Sequence, residues 1–131
     1  MHFAPMEVST NTEQGKQGED LAAKHLIEKG FIEKHRNWHA GKLEIDLIMQ
    51  DGDTMVFVEV KLRRGPWAED PDLAVNKGKI NRLLQAAERW LEYYQWQGEI
   101  RFDIVSIRKP YHAYIIEHIA DAFGPGPERF F

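Results

Sequence analysis

Glu44-x-Asp46, followed thirteen residues after the aspartate by Glu59-x-Lys61, sets three carboxylates and an ammonium at alternate positions of two neighbouring segments. If those segments pair as a hairpin, an Asp, a Glu and a Lys converge on one face of a sheet. Hard oxygen donors of this kind suit Mg²⁺, and a nearby ammonium can hold a water or offset negative charge on a phosphate. The combination is the equipment for hydrolysing a phosphodiester.

The hairpin is legible in the flanking residues. Leu43–Gln50 and Thr54–Leu62 are rich in β-branched and aromatic residues, and Asp51-Gly52 between them is the dipeptide that a type I′ turn requires. A two-residue loop at Asp51 and Gly52 sets Glu44 opposite Glu59 and Asp46 opposite Phe57. Side chains alternate with period two, so Glu44, Asp46, Glu59 and Lys61 share a face. Leu43, Ile45, Leu47 and Met49 then face the other way with Val56, Val58, Val60 and Leu62, an apolar surface fit for a core. A one-residue slip would separate Asp46 from Glu59. As diagonal cross-strand neighbours, the two acids have backbones about 7–8 Å apart, within joint reach of one cation. The competing interpretation is an acidic cluster on a solvated sheet face, neutralised by Lys61 alone, because alternating charges on exposed strands are common.

Gly15-Lys16-Gln17-Gly18-Glu19, Arg36-Asn37-Trp38, Glu44-Ile45-Asp46-Leu47-Ile48 and Val56-Phe57-Val58-Glu59-Val60-Lys61 stand in a distinctive order and spacing. In these segments the chain resembles the YraN-like family of uncharacterised bacterial proteins, from about Gly15 to Phe123. That family is similar to the restriction-endonuclease-like PD-(D/E)xK superfamily and, within it, to archaeal-type Holliday-junction resolvases. The resemblance implies that Asp46 and Glu59 bind Mg²⁺ or Mn²⁺ together with the backbone carbonyl of Val60. It also implies that Lys61 orients or activates the attacking water. Glu19 matches an acid that such resolvases add from their first helix, and Glu44 matches the family pattern in a supporting position. Lys79, by the same likeness, reaches the site or a phosphate. Two departures stand out: Leu43 replaces the usual Gly before Glu-Ile-Asp, and Leu62 replaces a small hydroxyl residue after the Lys. Gly at the first position would permit a bulge that Leu discourages.

Composition bounds the rest. The chain has 131 residues, 43% of them hydrophobic, enough for one compact core. It has no cysteine, which excludes disulfides and thiolate metal sites. The first ten residues lack a signal-peptide pattern and no apolar run approaches membrane-spanning length, so a cytoplasmic protein without a membrane partner is expected. The net charge of −4 gives no global attraction to a polyanion. Its distribution is uneven, however. Between Lys61 and Arg82 six basic residues outnumber three acidic ones, for +3 against −7 over the remainder. Arg63, Arg64, Lys77, Lys79 and Arg82 are thus candidate contacts for a nucleic-acid backbone, or else charges of a solvated loop and helix end.

The remaining periodicities predict a helix over Thr12–Lys29, capped by Thr10 or Thr12 and stopped at Gly30. Gly15, Gly18, Ala22 and Ala23 would bring it close to a sheet. A strand is predicted over Phe31–His39, then the hairpin, then a loop over Arg63–Leu73 whose Trp67 could contact substrate. Ile80, Leu83, Leu84, Ala87, Trp90, Leu91 and Tyr94 mark an amphipathic helix over Lys77–Gln97, with its tryptophan and tyrosines assigned to the core. Strands over Ile100–Ile107 and Ala113–Ile119 turn at residues 109–112. His35 and His39 are four apart but fall in a strand without the glutamate of a helical zinc motif, so structural or surface roles are expected. The elements imply an α/β, restriction-endonuclease-like domain over residues 12–123, a mixed central sheet of about five strands flanked by two main helices, with flexible termini at 1–11 and 124–131. Two functions are compatible with it. One is a metal-dependent endonuclease on DNA, branched or otherwise structured, with a homodimer for paired cuts as the resolvase likeness suggests. The other is a nucleic-acid-binding or protein-interaction module that cuts slowly or not at all.

Overall fold

The computed structural model describes residues 5–64, 77–109 and 112–124, with side chains from residue 15 onward and not for Arg64. The elements run α1 (Pro5–Glu28), β1 (Ile32–Ala40), β2 (Leu43–Asp51), β3 (Thr54–Arg64), α2 (Lys77–Tyr94), β4 (Glu99–Lys109) and β5 (Ile115–Phe123). The strands form one five-stranded sheet in chain order, with β3 and β4 parallel across the α2 connection and every other pair antiparallel. This is the mixed sheet with two helices expected of a restriction-endonuclease-like domain. From residue 65 the expected substrate loop, Trp67 included, lies outside the described residues, as do residues 110–111 of the last turn and the tail from 125.

Helix α1 begins seven residues before the expected start, at Pro5, so Thr10 and Thr12 lie inside it and do not cap it. Proline suits a first helical position because its φ is already helical and its missing N–H would have had no intrahelical partner. The helix closes as expected at Gly30: the Gly30 N–H donates to the Ile27 carbonyl (2.9 Å) and the Phe31 N–H to the Leu26 carbonyl (3.0 Å), with Gly30 at φ +102°. That pair of bonds is a Schellman motif, and Leu26 and Phe31 complete it by packing into one apolar cluster. Of the small residues on this helix, Gly18, Ala22 and Ala23 face the sheet, and a Cβ on Gly18 would touch Leu62 and Val60 at 3.6–3.8 Å. Gly15 meets nothing within 4 Å and plays no part in the approach.

The β2–β3 register differs from the one expected. Leu47 pairs with Val58 and Asp51 with Thr54, so the loop is Gly52-Asp53 rather than Asp51-Gly52. Gly52 takes the positive φ (+61°) and Asp53 does not. A type I′ turn would force both central residues to φ > 0, whereas a glycine-first turn asks this of the glycine alone. The shift moves every partner by two positions, so face assignments within the paired segment survive, and by extension Asp46 comes level with Glu59 rather than Phe57.

A second correction concerns the faces. Both sides of the sheet are covered. Leu47, Met49, Val56 and Val58 pack under α1 with Val60 and Leu62, as expected of one face. Ile45, with Leu43 beside it, instead joins Ile48, Met55 and Phe57 against Ile80, Leu83, Ala87 and Trp90 of α2. Strict alternation would have kept Ile45 with Leu47; it fails at Asp46, where β2–β3 backbone pairing has ended at Leu47 and Val58. The α2 side is ordered by aromatic contacts, with ring centroids 5.6 Å apart for Phe57–Trp90, 5.5 Å for Phe57–Phe102 and 5.2 Å for Phe102–Phe123. Helix α2 ends at Tyr94, three residues before the expected limit, because Gln95 turns left-handed (φ +54°).

Buried Asp103, on β4, holds the outer strand in place. Arg101 grips it with two nitrogens (2.9 and 3.0 Å), His118 of β5 lies at 2.6 Å, and the Asp121 N–H donates at 3.0 Å. His118 thus has the structural role anticipated for the histidines. His35 likewise accepts from Trp90 Nε1 (2.9 Å), while His39 pairs with Glu44, so the two members of the His35/His39 spacing serve separate partners.

Replacing Gly30 by valine should destabilise the domain by about 1–2 kcal/mol, because a branched side chain resists that φ. Urea unfolding measures it, and an unchanged midpoint would contradict the role given to Gly30.

Candidate active site

Asp46 sits where β2 leaves β3. Its Oδ2 accepts the Val60 N–H at 2.9 Å, so a carboxylate takes over a backbone donor just past the last paired residues. The Asp46 carboxyl is pushed up to about 7, chiefly by burial and then by repulsion from Glu59. The Val60 N–H and Lys79 pull in the opposite direction, and Glu19 adds a further upward push. Glu59 is therefore close enough to Asp46 to oppose its ionisation.

Glu59 is only 3% exposed, which rules out a solvated sheet face. Its Oε2 receives two ammonium groups, Lys61 Nζ at 3.3 Å from the same strand and Lys79 Nζ at 3.4 Å from the first turn of α2. Lys61 alternates with Glu59 along β3, and the parallel β3–α2–β4 crossover delivers Lys79 to the same spot. The two ammonium contacts offset the cost of burying this carboxyl group.

Glu19, 8% exposed on α1, accepts a hydrogen bond from Asn37 Nδ2 at 2.7 Å. Burial raises its pKa, with Asn37 and Arg36 opposing. Asn37 can turn toward α1 because it adopts a left-handed conformation (φ +52°), one that asparagine tolerates better than most residues. Beside it, Arg36 pairs with Asp20 and Glu33 and ties β1 to α1. Sequence reasoning quoted Arg36-Asn37-Trp38 without assigning it a task. A polar side chain inside a strand-like run was the signal available.

Glu44 does not join the cluster directly. It is half-exposed and pairs with His39 at 3.0 Å, although its charge is felt at Glu19. Arg63 donates to the Leu62 carbonyl at 3.5 Å, Lys77 and Arg82 are exposed on the opening turns of α2, and the Arg64 side chain lies outside the described residues. Of the expected backbone-contacting cations, Lys79 is the one among the described side chains that reaches the acids.

Among the described residues, no three His, Cys, Asp or Glu side chains gather as a self-sufficient metal cage. Mg²⁺ does not need one, since one or two carboxylates with a carbonyl, waters and a substrate phosphate complete its octahedron. Asp46 and Glu59 fit such a cation on chemical grounds: both are hard donors, Glu59 is buried and Asp46 half-buried, and Glu59 repels the Asp46 charge. Val60 already commits its N–H to Asp46, which draws its peptide toward the same carboxylate.

The family model of "Uncharacterised protein family UPF0102" matches residues 18–107. A UPF0102 protein of Phocaeicola vulgatus is 36% identical over 118 residues, covering 90% of this chain and 98% of its own. A second, from Streptomyces griseus, is 44% identical over 98 residues, covering 73% and 82%, and one from Nitratidesulfovibrio vulgaris is 42% identical over 110 residues, covering 83% and 82%. The matched span opens beside Glu19 on α1 and runs past Asp46, Glu59, Lys61 and Lys79 nearly to the end of β4, and on these matches the chain belongs to the UPF0102 family.

Proposed function

We propose that this protein is a metal-dependent endonuclease that hydrolyses phosphodiesters in DNA, branched or otherwise structured DNA among them, with Asp46, Glu59 and Lys61 as its catalytic residues. The observation that carries this reading is the buried Glu59 carboxylate shared by Lys61 and Lys79 beside a second, half-buried acid that it repels. Mg²⁺ or Mn²⁺, when bound, supplies Lewis acidity and a more acidic water. Asp46, Glu59 and the Val60 carbonyl would hold it. Lys61, fixed against Glu59, is positioned to orient the attacking water and to offset charge on the phosphate oxygens. Lys79 adds a second positive charge from the opposite element, and Arg63, Arg64, Lys77 and Arg82 would be contacts for the nucleic-acid backbone. Glu19 and Glu44 support the site from its rim. A homodimer would present two such sites for paired cuts. No helix among the described residues is long and apolar enough to cross a membrane.

The rival is a nucleic-acid-binding or protein-interaction module on the same fold that cuts slowly or not at all, and the net charge of −4, by weakening nonspecific attraction to DNA, favours its protein-interaction form. Cleavage of labelled four-way junction, flap, single-stranded and duplex DNA with Mg²⁺ or Mn²⁺ separates the two. Asp46→Ala and Lys61→Ala should each lose at least about 100-fold in rate while keeping most binding. Wild-type protein that binds these substrates yet cuts none of them would establish the module instead.

The electrostatics of Asp46 make two further expectations. Its folded-state pKa, about 7, lies above the ordinary 3.8, so its contribution favours folding below pH 3.8 and is lost as pH rises through 7. Asp46→Asn keeps an acceptor for the Val60 N–H and removes the charge. The variant should therefore exceed wild type by roughly 1–3 kcal/mol at pH 8 in urea unfolding without divalent cation, with the gap closing toward pH 4. Equal stability at pH 8 would contradict the repulsion. Cation binding, in turn, should expel a proton at pH 6 and little at pH 8.5, visible as a buffer-dependent heat in Mn²⁺ titration calorimetry. Buffer-independent heats at pH 6 would count against Asp46 as a ligand.

A further inference from the structure

Outside the carboxylate cluster, a cleft of about 420 Å³ opens between β1 and α2, lined by Trp38, His39, Ala40, Arg89, Tyr93 and Tyr94. Its volume is that of a small-ligand site, and its walls are aromatic faces with one guanidinium. Tyr93 is 76% exposed and Tyr94 43% exposed, although helical spacing suggested a core role for Tyr94. Tyr94 is braced from behind, 4.9 Å from the Trp90 ring and 4.8 Å from the His35 ring, with Tyr93 set edge-on to it at 4.8 Å. The aromatic wall is therefore preorganised, and its outermost ring is open to solvent.

We propose that this cleft binds unstacked nucleobases of a single-stranded nucleic-acid segment, which deepens and rests on the nuclease reading by making substrates with unpaired strands the preferred class. Three features on the molecule select this occupant. Aromatic faces can be covered only by bases that are free of a duplex, because paired bases already stack on their neighbours. The positive charge is limited: Arg89 lines the cleft and Arg82 lies two turns back on the same helical stripe, while exposed Glu88 and Glu92 flank them and His39 is already paired with Glu44. Phosphate attraction alone is therefore too weak to hold a duplex, and stacking must carry the affinity. Finally, the cleft shares its two walls with the elements that carry the proposed site. Trp38 pairs with Ile45, the neighbour of Asp46, and α2 leads from Lys79 beside Glu59 to Tyr93 over about 21 Å of axis.

The test is fluorescence anisotropy of the full chain in EDTA, so that no cutting occurs, with labelled 12-residue oligo-dT, oligo-rU and abasic strands and a 12-base-pair duplex. Oligo-dT or oligo-rU should bind more tightly than the abasic strand and the duplex. Tyr93→Ala should weaken the preferred oligomer about 5- to 100-fold and leave abasic binding unchanged, whereas Tyr93→Phe, which keeps the ring, should bind as wild type. Arg89→Ala should weaken both base-bearing and abasic strands. The thermal midpoint checks folding, which Tyr93, being largely exposed, should not alter. Wild-type-like binding by Tyr93→Ala, or no preference of the wild type for bases over abasic strand, overturns the inference. Because binding is read without metal, the two proposals fail separately. If this pattern holds while nothing is cut in Mg²⁺, the cleft stands and the chemistry falls. If DNA is cut by Tyr93→Ala protein of undiminished affinity, the chemistry stands and the cleft falls.

Discussion

The hydrogen bond from the Val60 N–H to Asp46 Oδ2 is the contact on which the arrangement turns. Past Leu47 and Val58 the β2–β3 backbone ladder stops, and a side chain supplies the acceptor that a strand would have supplied. A backbone donor in this interior has to be satisfied somehow, and an aspartate is short enough to do it from the neighbouring strand. The exchange frees the upper end of β2 from strict alternation, so Ile45 and Leu43 can enter the core beneath α2 while Leu47 stays beneath α1. It also fixes the Asp46 carboxylate beside Glu59, where burial and like charge both oppose its ionisation.

Two aspartates of the sheet, Asp103 buried and Asp46 half-buried, show how differently one fold can treat the same group. Asp103 is wholly buried, yet its two oxygens meet a forked arginine, a histidine and a backbone N–H. It is a joint between β4 and β5, and its demands are met. Asp46 has one backbone donor and a repelling glutamate, with the nearest ammonium groups gathered on Glu59 instead. Polar groups built only for stability are normally satisfied, whereas an acid held short of partners beside another acid marks a place prepared for something from outside. The contrast within one sheet separates scaffold from candidate chemistry without reference to any relative.

Covering the sheet on both faces creates this situation. A solvated face would have let Glu44, Asp46, Glu59 and Lys61 form an ordinary charged array with water as the main partner. Helix α2 instead closes over Glu59, brings Lys79 to it, and leaves Tyr93 and Arg89 on its outward side above β1. Helix α1 closes the other face and contributes Glu19, held by Asn37 from the edge strand. The cluster thus draws Asp46 from β2, Glu59 and Lys61 from β3, Lys79 from α2 and Glu19 from α1, and the sheet sets their spacing.

Local pattern alone determined the hairpin, the order of strands and helices, the stop at Gly30 and the shared face of Glu59 and Lys61 on β3, because period-two alternation and glycine's access to positive φ act over a few residues. The register was missed by two positions since Asp51-Gly52 and Gly52-Asp53 are both acceptable loops, and only the cross-strand fit, with Asp51 engaged by Arg101 from a distant strand, chose between them. The sequence could not reveal that Glu44 turns to His39, that Asn37 reaches Glu19, or that Tyr94 borders a cleft. Those outcomes depend on which elements meet across the sheet. The packing of two helices on opposite faces, which no local spacing encodes, decided which acids were buried and which aromatic rings were left in water.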